Sequence, residues 1–260
     1  MKKIFLPSFL KPYQCDTLDR VGRDFDGGYL INNLDIIKSK ALISFGISDD
    51  WSFEKELLKK NDMPLYAYDA TLNTRFLVQK VVKFFFRLKP IRTCQSLIKL
   101  FNYFYFFRNN KLHFRKYVGL ANNPRFVTLD FVLNKIKSER GLIKDLFLKI
   151  DIEGWEYRVL HEIIENHESF SALAIEFHDV DIHLDKIEKF ILDFPLKLIH
   201  VHANNSASIN GSNCPLVIEC TFSANSVSVF KTTIQYPHSL DMPNDAKKEE
   251  YQIEFHKNLY

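Results

Sequence analysis

The fold turns on the stretch "LFLKIDIEGWEYRVL", Leu146 to Leu160. Its first half is the short apolar run of a buried strand. Its second half begins a helical pattern that places Trp155, Val159, Ile163 and Ile164 on one side. Asp151, Glu153 and Gly154 stand at the join. Glycine permits a tight strand-to-helix turn. Carboxylates there either cap the coming helix or face a ligand. The same rhythm runs along the chain. "KALISF" ends at Gly46 and leads into "SFEKELLKK". "MPLYAYDA" ends at Asp69 and Ala70. "ALAIEFHDV" leads into "LDKIEKFILDF", and "LKLIHVHANN" and "PLVIECTFS" read as paired strands around a loop containing "INGSN". This alternation predicts an α/β fold: a mostly parallel sheet with helices on both faces and one antiparallel edge strand.

The chain has 260 residues, 46% of them hydrophobic, enough for one α/β core. The expectation is a single domain over 1–260. Cys15, Cys94, Cys214 and Cys220 form no CxxC pair and have no histidine at zinc spacing. Reduced thiols and a cytoplasmic location are expected. Pro7, Lys11 and Pro12 interrupt the first apolar stretch too early for a signal peptide. No run of about 20 uncharged apolar residues is present to span a membrane.

Charge is unevenly spread. From Thr71 to Leu129 there is no Asp or Glu, but there are twelve Lys and Arg; with a whole-chain charge of +3, the remainder carries −9. Within this stretch, 72–116 breaks the strand–helix rhythm. In "VVKFFFRLKPIRTCQSLIKLFNYFYFFRNN" apolar residues recur every three or four positions with cations between them, which predicts helices broken near Pro90. It reads as a helical insertion: a packing cap, a lid over an anionic small-molecule acceptor, or a peripheral membrane or dimer contact. Its cations alternate with a Phe-rich face rather than with loop aromatics, so no nucleic-acid partner is expected.

Ligands of open parallel sheets sit at the carboxyl ends of the strands. Here those ends read "FGISDD", "YDA", "DIEG", "EFHDV" and "HVHANN". Each has a bland explanation as a cap, a turn or a satisfied strand histidine. Five such ends together point to one functional rim.

"LKIDIEGWE" resembles the K-[IV]-D-[IV]-E-G-x-E signature of FkbM-type methyltransferases, which use S-adenosylmethionine on a class I Rossmann-like fold. "RVGRDFDGGYLI", "SFGISDDWSFEKEL", "AYDAT", "IEFH", "VHANN" and "LDMPN" match in the expected order from Arg20 to Asn244. The basic, Phe-rich segment departs from the pattern. The resemblance implies a cofactor site of Gly28 and Tyr29 in the "DGGY" turn, Gly46, Ile47, Asp49 and Asp50 in the first loop, Asp69 and Ala70 at the ribose, and Asp151. It implies a catalytic group of His178, with His202 second, assisted by Asp151 and Glu153. Magnesium is an optional addition, with Asp151, Glu176, His178 and Asp179 as candidate ligands. The implied reaction is O-methylation of a sugar or anionic sugar-linked group in surface-polysaccharide biosynthesis, or N- or O-methylation of a phosphoramidate or phosphate group in capsule modification.

"FGISDDWSF" lacks the later glycines of a nicotinamide-binding loop. "DVD", Asp179 to Asp181, resembles the short metal motif of sugar-nucleotide glycosyltransferases. A non-catalytic partner subunit is opposed by the acids and histidines kept at the strand ends.

Overall fold

The computed structural model describes residues 1–225 and 235–256. Its centre is a seven-stranded sheet: β1 (Ala41–Phe45), β2 (Leu65–Tyr68), β3 (Lys111–Phe114), β4 (Leu146–Ile150), β5 (Phe170–Phe177), β6 (Lys197–Ala203) and β7 (Ile218–Ser223). The spatial order is β6-β7-β5-β4-β1-β2-β3. β7 runs antiparallel to both neighbours, and the other strands share one direction. This is a mostly parallel, Rossmann-like sheet. One detail differs from expectation. The antiparallel strand lies one place in from the edge, because β7 inserts between β5 and β6.

β4 and β5 are buried along their whole length, which is why they read as continuous apolar runs. Alternate residues supply opposite cores. Leu146, Leu148 and Ile150 join one cluster, and Phe147 joins the other with Phe53 and Leu57. Lys149 therefore shares the face of Phe147.

The α-helices among the described residues are α1 (Asn33–Lys38), α2 (Ser52–Lys60), α3 (Thr74–Phe86), α4 (Pro90–Phe106), α5 (Leu129–Arg140), α6 (Leu160–Glu165) and α7 (Val180–Asp193). Three two-stranded sheets, Lys2–Pro7 with Tyr251–His256, Leu18–Val21 with Tyr29–Asn32 and Tyr117–Val118 with Phe126–Val127, lie outside the central one. Pro90 opens α4 at its first turn, so the predicted break falls between α3 and α4. The expected insertion over 72–116 is corrected in part. It ends in β3, so the two helices are the crossover from β2 to β3. "KLHF" is too short and polar to announce a strand.

Asp35 of α1 is fully buried. Its Oδ1 accepts from Asn225 Nδ2 at 2.8 Å, while Oδ2 has no partner among the described residues. Burial raises its carboxyl to about 6. A raised acid favours the folded state only while protonated, so stability falls as pH rises through the interval from 3.8 to about 6. Asp35→Asn should stabilise the protein at pH 8 by about 1–3 kcal/mol, with a gain that shrinks towards pH 4. Urea unfolding of both proteins across that range checks this.

Candidate active site

The strands of the central group end in chemistry. Gly46 leaves β1 at φ +76°, and a Cβ there would lie 1.6 Å from the Asp151 carbonyl oxygen. Asp151 N–H donates to the Phe45 carbonyl at 2.9 Å. Only glycine allows the two strand ends to approach this closely. The following loop is stapled by Asp69. Its Oδ2 accepts from the amides of Ile47 (3.0 Å) and Ser48 (2.6 Å), and its Oδ1 from Thr71 N–H (2.6 Å), Thr71 Oγ1–H (2.6 Å) and Leu72 N–H (3.1 Å). Although burial opposes the charge, these bonds hold the carboxyl below its usual range. Five donors fill both oxygens, so the carboxylate expected at the ribose shapes the loop instead. Asp49 is held by Lys80 of α3 and by Lys99 of α4 at 3.3 Å. Asp50 faces Arg23 Nε at 2.8 Å.

The floor of the site is a lysine among acids. Lys149 is 5% exposed; its Nζ donates to the Gly46 carbonyl at 2.6 Å and meets Asp151 Oδ2 at 3.3 Å. Burial works against its charge, but Asp151, Glu54 and Glu176 outweigh that and raise its pKa. Glu54, on the buried face of α2, accepts from Ser44 Oγ at 2.5 Å, and its carboxyl is raised chiefly by burial. Asp26 is raised by burial and by its neighbours Glu219 and Asp151. Ile150 pairs with Ile175 in register, so Asp151 and Glu176 come next on adjacent strands. Glu176 accepts from Asn204 Nδ2 at 2.7 Å, and burial holds its proton well above the usual range.

His178 follows β5. Its Nδ1 lies 2.8 Å from Oε1 of the fully buried Glu156, and its Nε2 lies 3.5 Å from Glu153 Oε2. Burial would lower its pKa, but Glu156, Glu176 and Asp151 lift it to about 9. The surrounding carboxylates thus favour the protonated imidazole, where the sequence suggested a neutral base. Donor atoms of Asp151, Glu153 and His178 all lie within 4.8 Å of one another, a set able to hold a hard divalent ion. Two expected ligands fall outside it: Glu176 is tied to Asn204, and Asp179 precedes α7 at φ +49°. Three non-glycine residues with positive φ, Ser48 (+45°), Glu153 (+57°) and Asp179 (+49°), follow β1, β4 and β5. Strain of this kind gathers at functional rims.

A cleft of about 630 Å³ opens over these ends. Of the expected cofactor residues, Tyr29, Gly46, Ile47, Asp49, Asp50, Asp69, Ala70 and Asp151 line it. Gly28 does not. A Cβ on Gly28 would meet the Arg23 carbonyl at 2.5 Å and Arg20 Nη2 at 2.6 Å, so it packs the turn while Gly27 faces the cleft. Glu153 lines the opening, with His178 just behind it. His202 is a further correction. It is 2% exposed, lies between Glu219 (3.2 Å) and Glu250 (3.5 Å), and is separated from the cleft by β7. "DVD" lies at the start of α7, outside the lining. The expected lid is not formed either. No residue of α3 or α4 lines the cleft, because the pair packs on Trp51 of the α2 side; Lys80 and Lys99 meet Asp49, and Tyr103 meets His113, which bonds the Asp69 carbonyl.

Sequence reasoning missed the wall opposite the loop. Tyr117, Phe126 and Trp155 stack there, with Phe126 and Trp155 centroids 5.7 Å apart. It also missed Lys149 and Glu54, whose signal was a lone charge in an apolar strand and on an apolar helix face. Tyr68 Oη and Glu54 Oε2 are buried without partners among the described residues, and both residues line the cleft.

No family model matches the chain, and no curated protein does. Among solved structures it is similar to precorrin-6y C5,15-methyltransferase from Geobacter metallireducens GS-15, at 11% identity over 75% of this chain and 85% of that one, TM-score 0.36. It is also similar to the METTL16 MTase domain (10%, 73% and 61%, 0.34) and to a chain of a fibrillarin/Nop5p complex (10%, 85% and 99%, 0.35). Likenesses this distant carry no argument about activity, substrate or partner.

Two outcomes follow from the geometry. Gly46→Ala should cost about 4 kcal/mol or more, the range of severe core clashes, and yield little folded protein. The His178 imidazole should titrate near 9 by NMR, and Glu156→Gln should lower that midpoint by about one unit or more. The pairing stabilises the fold in full below about 6.5 and is lost as pH rises through about 9. A wild-type midpoint at 6.5 would mean the carboxylates do not hold the proton.

Proposed function

We propose that the chain is an S-adenosylmethionine-dependent methyltransferase of the FkbM type. The observation that carries this is the charge of the cleft. Its lining holds seven carboxylates, Asp26, Asp49, Asp50, Glu54, Asp69, Asp151 and Glu153, against three cations, Arg23, Lys116 and Lys149. Such a cleft repels dinucleotides, sugar nucleotides and polynucleotides, and favours a ligand that brings positive charge. S-adenosylmethionine has a sulfonium and an ammonium group with one carboxylate. The cleft lies at the ends of neighbouring β1 and β4, where the strand order reverses.

The residues fit the cofactor. The Tyr117–Phe126–Trp155 wall suits a flat base, and the free Tyr68 hydroxyl and Glu54 Oε2 suit its hydroxyls. Lys149 offers charge to a carboxylate, and Asp151 and Asp26 offer it to the cationic groups. Bound there, S-adenosylmethionine would supply an electrophilic methyl group.

The acceptor is read as a small molecule seated over Asp151, Glu153 and His178. The sequence resemblance favours a sugar hydroxyl in surface-polysaccharide biosynthesis. Because the carboxylates around His178 favour its protonated form, Asp151 or Glu153 takes the acceptor proton. His178, with Nε2 3.5 Å from Glu153 Oε2, orients that carboxylate. Magnesium is not required by this reading.

Isothermal titration with S-adenosylhomocysteine tests it. Binding is expected, and Lys149→Met should weaken it by about 1.5–3 kcal/mol, as when a charged hydrogen bond is lost. Absence of binding by well-folded protein at millimolar ligand, or tighter binding of a sugar nucleotide, overturns the proposal.

A further inference from the structure

The crossover hairpin of α3 and α4 presents a second surface. Eleven of the twenty-two large hydrophobic residues exposed among the described residues fall between Val78 and Tyr105. On α4, Ile91, Ile98, Phe101 and Tyr105 recur at helical spacing along the outer side, exposed by 74%, 59%, 70% and 68%. The outer side of α3 carries Val78, Val82 and Phe85. At the turn between the helices Phe86 is 78% and Leu88 88% exposed. The inner side packs through Leu77, Leu100, Tyr103 and Phe106, so the outer stripe is not needed for the core.

Around the turn stand Lys83, Arg87 and Lys89, all exposed and in no ion pair among the described residues. Nothing between Thr71 and Leu129 is acidic. α4 is 17 residues, and no helix of the described residues is long and apolar enough to cross a membrane. An apolar stripe flanked by cations on a helix too short to span is the pattern of a helix that lies in a membrane interface.

We propose that the α3–α4 hairpin docks on an anionic lipid surface, inserting its turn and the outer stripe of α4 among the acyl chains while Lys83, Arg87 and Lys89 meet the headgroups. A second copy of the chain is the poorer occupant. A two-fold contact sets a patch against itself, bringing the same cations together with no acid in the segment to offset them. The lipid surface supplies that offset. The inference is independent of the methyltransferase reading.

Sedimentation with vesicles of phosphatidylcholine, with and without phosphatidylglycerol, tests it. The protein should pellet with the anionic vesicles and detach as salt rises. Phe85→Ser with Phe101→Ser should lower the affinity by about tenfold or more, the loss expected when two inserted rings are removed. Lys83→Gln with Lys89→Gln should abolish the preference for phosphatidylglycerol. These positions are exposed, so thermal unfolding should be little changed; if the double serine variant does not fold, Phe101→Ser and Phe86→Ser tested singly take its place. No binding to anionic vesicles, or serine variants that bind as well as wild type, overturns the proposal. So does a dimer that the serine substitutions disperse in protein that ignores vesicles.

Discussion

Where β1 leaves the sheet, the Gly46 backbone passes so close to the Asp151 carbonyl that no side chain fits between them. The positive φ turns the Gly46 carbonyl to Lys149 Nζ, and the next two amides turn to Asp69. The loop is thus fastened from β4 on one side and from β2 on the other. The cleft is the space left above these fastenings. Each fastening uses a buried polar group with its partner in place, which makes the arrangement rigid rather than costly.

Charge is sorted across the molecule in the same way that apolar surface is. Acids gather at the strand ends around one lysine, and cations gather on the crossover hairpin. The first group sets the protonation of its neighbours. Burial pushes Glu176 and Asp26 towards the neutral form, and the surrounding acids push His178 towards the charged form. The hairpin meets this group where Lys80 and Lys99 hold Asp49. Its remaining cations face outward with the exposed aromatic rings.

Much of the frame was legible because its signals are local. Apolar runs ending at Gly46, Asp69, Asp151 and His178 announced four strand ends, and Pro90 announced the break between α3 and α4. β3 was hidden in "KLHF", a strand made only by pairing with β2. The partners of the site residues were not legible at all. Asp69 looked free to meet a ligand until five donors from its own fold filled it. His202 looked like a rim histidine, because alternation along a strand gives its face and not which strand lies beside it. The hairpin looked like a lid because its charge could be read while its packing on Trp51 could not.

The sequence by itself determined the α/β class, the residue types at each strand end and the division of charge between the hairpin and the rest. Those depend on periodicity and composition, which are properties of neighbours along the chain. Tertiary structure decided which ends meet, that carboxylates surround His178 and raise its pKa, and that the cleft is acidic with one buried lysine. Those depend on desolvation and on charges brought together from β1, β2, β4 and β5. Distances between strands are set by the order β6-β7-β5-β4-β1-β2-β3, an order that no local stretch of the chain encodes.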